Sequence, residues 1–116
     1  MIVYHGTPFG GDRAGVARFL RNRHALIPFP RQEDCAVAMQ VCQTVVFDNG
    51  AFTAWKQGQP ITDWTPYHEW CDEWHRHPAF AWAIIPDVID GSEDDNDELL
   101  DEWPGHIEGV PVWHLH

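Results

Sequence analysis

The 116-residue sequence has no long hydrophobic run. Its apolar stretches are a few residues each, far short of the about 20 that a membrane-spanning helix needs. It has only three cysteines, an odd number without close pairing, so a disulfide framework is not expected and a reducing, cytoplasmic setting is. The opening Met1-Ile2-Val3-Tyr4-His5-Gly6 lacks a basic region followed by an apolar block, so no signal peptide is expected. After Arg76 there is no Lys or Arg at all. The full glycine-rich fingerprints of phosphate loops are also missing, Gly10-Gly11-Asp12 being the nearest approach.

What is present suits a single domain over residues 1–116. Apolar residues make up 44% and aromatics 13%, enough for a core and too much for disorder. Eighteen acids against seven bases give a net charge of −11, which argues against wholesale electrostatic binding of nucleic acid. The bases cluster early: Arg13, Arg18, Arg21, Arg23 and Arg31 leave room for local phosphate contacts or form a solvated helix face. The acids between Glu93 and Glu102 sit behind Ser92, a helix cap, and read as solvated surface without the spacing of a calcium loop.

Along the chain, apolar runs alternate with helical stripes. Ile2–His5, Ala25–Ile27, Thr44–Phe47, Phe80–Ile85 and Val110–His114 read as strands. Between them, Val16, Phe19 and Leu20 mark one helix behind Asp12. Cys35, Ala38, Met39 and Cys42 mark a second, Tyr67, Trp70, Cys71 and Trp74 a third, and Leu99, Leu100 and Trp103 a fourth. The segment from Trp55 to Asp63 reads as a long connection, and Thr65 as the cap of the third helix with Pro66 at its first position. The alternation predicts an α/β fold with a parallel sheet, (βα)4β. The cysteines read as buried core residues rather than metal ligands.

The polar residues fall at strand ends. His5-Gly6, Asp48-Asn49-Gly50, Asp87 and His114 each follow an apolar run. In parallel α/β folds the C-terminal strand ends share one rim, and ligands bind there. Two carboxylates on such a rim suit a general base or nucleophile beside an acceptor for the N–H groups of a base-like ligand. The alternative reading is a metal-dependent hydrolase using His5, His114 and His116, since His114-Leu115-His116 sets two imidazoles on one side of a strand.

Phe47-Asp48-Asn49-Gly50-Ala51-Phe52 resembles the Asp-Ser-Gly-Gly-Phe segment of tRNA-guanine transglycosylases, above all their small phage and prophage relatives. Tyr4-His5-Gly6-Thr7-Pro8, Trp82-Ala83-Ile84-Ile85-Pro86-Asp87-Val88 and Val110-Pro111-Val112-Trp113-His114 are similar to further elements of those relatives, in order. The resemblance implies a TIM-type barrel that exchanges guanine in nucleic acid for a 7-deazaguanine. It implies proton handling by Asp48 and base recognition by Asp87, both catalytic. His5, Gly6, Asn49, Gly50, Ala51, Phe52 and His114 would line the substrate. Asn49 and Ala51 stand where the family has Ser and Gly. The family's nucleophile and its zinc site lie on later segments that match nothing here, so the resemblance covers the base-recognition half; no cofactor or metal is implied.

A complete (βα)8 barrel takes about 250 residues. Half of one leaves open sheet edges and an apolar inner face, and the expectation is a homo-oligomer in which two chains complete the barrel; the alternatives are an open, flattened sheet covered by its helices and a chain that is part of something longer. The partners implied are a purine-like base or nucleic acid, and no membrane. A second reading is a non-catalytic mobile-element protein that binds a host protein or nucleotide through the acidic helix.

Overall fold

The computed structural model describes residues 4–6, 21, 23–89 and 91–111. Five strands form one sheet: β1 (Tyr4–Gly6), β2 (His24–Pro28), β3 (Thr44–Asp48), β4 (Phe80–Ile84) and β5 (Gly109–Val110). Every neighbouring pair is parallel, and the order in the sheet is the order in the chain, β1-β2-β3-β4-β5. The α/β class and the all-parallel sheet expected from the alternation are therefore present. Strand order never reverses, so the described sheet contains no topological switch point of the doubly wound kind.

Among the described residues the connections carry four α-helices: α1 (Cys35–Val41), α2 (Ala51–Lys56), α3 (Thr65–Trp74) and α4 (Glu93–Glu102). A 3-10 turn, Phe29–Asp34, leads into α1. The helix expected behind Asp12 lies outside the described residues, as does the expected strand beyond Pro111. Two boundaries differ from expectation. Residues 51–56, read as strand end and connection, form α2. The helix α3 begins at Thr65 itself, and Asp63 supplies the oxygen at its entry, accepting from the Thr65 N–H at 3.1 Å.

Side-chain alternation divides the sheet into two faces. Ala25 and Ile27 of β2, Val45 and Phe47 of β3, and Ala83 of β4 pack with Ala38 and Met39 of α1 and Tyr67, Trp70 and Cys71 of α3 in one core. The centre of that core is aromatic. Phe47 stacks on Trp70 with ring centroids 3.7 Å apart and 7° between planes, and Phe29 packs on both Tyr67 and Trp70. Burial of each such side chain is worth about 1.5–3 kcal/mol. All three cysteines are buried and free, as their helical stripes imply.

The register sets Leu26, Val46 and Trp82 side by side on the opposite face, with Ile84 beside Val110. Val46 and Ile84 are buried there too. A sheet apolar on both faces explains why Phe80–Ile85 is a continuous rather than an alternating apolar run. The β3–β4 pairing skips Ala81, which keeps Phe80 and Ala83 together on the helix-covered face.

The acidic helix α4 is held by its ends more than by its face. Ser92 Oγ accepts from the Asp95 N–H at 3.1 Å, and Asp95 Oδ2 accepts from the Ser92 N–H at 3.1 Å, a reciprocal cap worth about 1 kcal/mol. None of its residues is buried; Leu99 packs partly against the core with Trp103, and its acids are exposed.

Candidate functional site

The segments that follow β3 and β4 are tied together by the Asn49 side chain. After Asp48 the backbone turns at Asn49-Gly50, where Gly50 has φ +77°, a left-handed conformation that favours glycine. A Cβ at Gly50 would also lie 2.8 Å from Pro30 Cδ, so packing makes the same demand. Asn49 is 3% exposed and fully engaged. Its Oδ1 accepts from the Ala51 N–H at 2.8 Å, an Asx turn that starts α2. Its Nδ2 donates to the Ile85 carbonyl at 3.1 Å and lies 3.4 Å from Asp87 Oδ1. Asn49 thus fastens the loop after β3 to the segment after β4 and orients Asp87. Alongside, the buried Tyr67 hydroxyl donates to the Ile84 carbonyl at 2.8 Å, closing the same strand ends from the helix side.

Asp48 shares the face of Val46, opposite the one covered by α1 and α3, by strand alternation. Burial raises its carboxyl above the ordinary 3.8, opposed by hydrogen bonds from the Gly50 and Asn49 backbone and reinforced by the charge of Asp87. Asp87 is raised as well, by burial first, with the Asn49 amide pulling it back. Two carboxyls that repel one another and resist ionisation therefore stand at adjacent strand ends. Groups of that kind exchange protons nearer neutrality than solvated acids do.

Asp87 also lines a small cleft with Ala51, Trp55, Ile61, Trp64 and Val88. Its volume of about 40 Å³ is room for about one water and falls well short of an enclosed ligand pocket. Beside it Phe52 and Trp55 are 59% and 40% exposed, with ring centroids 5.9 Å apart, so the mouth of the cleft carries open aromatic surface.

Ala51 is buried at the cleft wall, and Phe52 stands outside it. The β1 backbone sets His5 level with Ala25 and Val45, and Gly6 level with Leu26 and Val46. His5 is therefore three rungs below Asp48 rather than at its level. Val110 stands level with Ile84, so β5 reaches the rim, but His114 and His116 lie outside the described residues. Trp55, Ile61 and Trp64 escaped the sequence reading. Their signal is three large apolar residues inside a segment otherwise rich in Gly, Pro and Gln.

The raised carboxyls have a stability consequence. A carboxyl whose folded value exceeds its unfolded value binds its proton more tightly in the folded chain. Its contribution is fully present below the unfolded value, near 3.8, and is lost as pH rises through the raised folded value. Asp48→Asn removes that loss. Thermal unfolding followed by circular dichroism is expected to show the Tm of the variant falling less steeply than wild type over that window. Parallel curves would mean that Asp48 is not held above its ordinary value.

Comparison with protein-family models, curated proteins and solved structures finds no match to this chain.

Proposed function

We propose that this chain recognises a guanine-type base, guanine or a 7-deazaguanine, free or in nucleic acid, across the C-terminal ends of β3 and β4. The observation that carries the reading is the Asp48–Asp87 pair, two carboxyls raised by burial and fastened to one rim through Asn49. A guanine-type edge presents N–H donors, which a carboxylate oxygen accepts. Asp87 is the acceptor for that edge. Asp48, on the face opposite α1 and α3, holds or takes a proton at the base. The exposed rings of Phe52 and Trp55 supply a stacking surface, and the base lies across the rim because the cleft is too small to enclose it. The ordered resemblance to tRNA-guanine transglycosylases supports the same assignment. On this reading the sheet is the (βα)4β half of a TIM-type barrel, and a second copy of the chain completes it against the β1 and β5 edges.

Differential scanning fluorimetry and equilibrium dialysis of the purified chain with guanine, 7-deazaguanine and adenine test the reading. Guanine and 7-deazaguanine are expected to bind and to raise the Tm, and adenine to do neither. Binding of adenine as tight as that of guanine, or no binding of either guanine-type base, would overturn it.

A further inference from the structure

A second cluster of chemically capable side chains stands at the opposite rim. Asp72 lies in the last turn of α3 and His75 is its C-cap, and His106 lies in the connection between α4 and β5. Asp72 Oδ1 accepts from His106 Nε2 at 2.7 Å and lies 3.6 Å from His75 Nε2. The two imidazoles approach edge to face, with centroids 5.1 Å apart. One ligating atom from each of the three residues lies within 4.8 Å of the others.

The scaffold under the cluster is firm. Trp103 Nε1 donates to the Ile107 carbonyl at 2.9 Å, the Ile107 N–H donates to the Pro104 carbonyl at 3.1 Å, and Ile107 itself is buried. A Cβ on Gly109 would collide with the Trp103 indole and Ile85, so that turn sits tightly on β5. His106 is thus carried by a pinned backbone, and His75 by the C-cap of α3.

We propose that Asp72, His75 and His106 form a binding site for a divalent transition metal of the zinc class. Two imidazoles and one carboxylate are a borderline donor set that suits zinc and not magnesium or calcium. Tetrahedral zinc holds its ligands about 3.3 Å apart. The Asp72 and His106 side chains are exposed, and on zinc binding their present 2.7 Å contact would open to that spacing. The remaining coordination position opens to solvent. The site lies where helices lead back into strands, the end of such folds associated with stability rather than chemistry. Its role is a clip: it joins residues 34 positions apart in the chain, and tightens the connection that delivers β5.

Calorimetric titration of the EDTA-treated full chain with zinc chloride, with thermal unfolding in parallel, tests this. The wild type is expected to bind a single equivalent and to gain roughly 10 °C in Tm at a hundredfold excess over Kd. Magnesium chloride is expected to give no rise. His106→Ala and Asp72→Asn should each weaken zinc binding by about tenfold or more, while the metal-free Tm stays near wild type because both side chains are exposed. The double variant His114→Ala/His116→Ala should bind like wild type. No zinc binding by the wild type, undiminished binding in both single variants, or loss of binding in the double variant would each overturn the assignment.

Discussion

Asn49→Asp is expected to lower the unfolding free energy by about 3 kcal/mol and the Tm by roughly 10–20 °C at neutral pH. The substitution changes one nitrogen to oxygen and leaves shape and volume intact, so packing is not the cause. The new carboxylate still accepts from the Ala51 N–H, and α2 keeps its start. It cannot donate to the Ile85 carbonyl, which loses its side-chain partner in a buried setting. It also sets like charge against Asp87, whose Oδ1 is 3.4 Å from the present amide nitrogen, and next to Asp48. Both effects follow ionisation. A protonated acid at position 49 donates again and repels nothing, so the deficit shrinks as pH falls. Urea denaturation at neutral and at acid pH reads both features. A variant as stable as wild type at neutral pH would show that Asn49 does not hold the two strand ends together.

That role also marks the limit of what the chain reveals on its own. The segment Asp48-Asn49-Gly50 is visible as a polar strand end, and the structure places it there. Which of its residues faces a ligand is a different matter. An asparagine at a loop entry is chemically able to bind a base, cap a helix or bridge two strands. Only the positions of Ile85 and Asp87, 36 and 38 residues away, decide that Asn49 bridges. The same holds for His5. Its place after a β-rich run suggested the rim, but its level is fixed by pairing with Ala25, and pairing register is not written in the run itself. Helices with a clear apolar stripe were readable because a period of 3.6 needs no partner. Cys35–Val41 buries Cys35, Ala38 and Met39 and Thr65–Trp74 buries Tyr67, Trp70 and Cys71, as their stripes select, while Trp74 is only partly buried. The six residues of α2 are too few to show a period, and an Asx turn rather than a stripe begins them. The Asp72–His75–His106 cluster was half legible: the i, i+3 pair is in the sequence, while the third member comes from a separate connection.

The proposed function makes its strongest demand at Asp87. Asp87→Asn is expected to weaken binding of a guanine-type base by about 10–100-fold, the worth of a charged hydrogen bond. The carboxylate offers two acceptor oxygens. One already faces the Asn49 amide, and the other remains for the ligand. An amide at position 87 offers one acceptor and one donor. If its oxygen stays with Asn49, its NH2 meets the N–H edge of the base, donor against donor. If it turns over, the two amide nitrogens at positions 49 and 87 oppose each other instead. Neither rotamer serves both contacts. Stability should move the other way or not at all, because burial of the Asp87 charge is unfavourable and the amide removes it. Affinity and Tm therefore separate in this variant, as they do not when a residue matters only for folding. Isothermal titration with guanine and a melting curve on the same sample measure the two. A Tm well below wild type accompanied by lost binding would assign Asp87 to the scaffold. Retained binding would remove it from the recognition of the base.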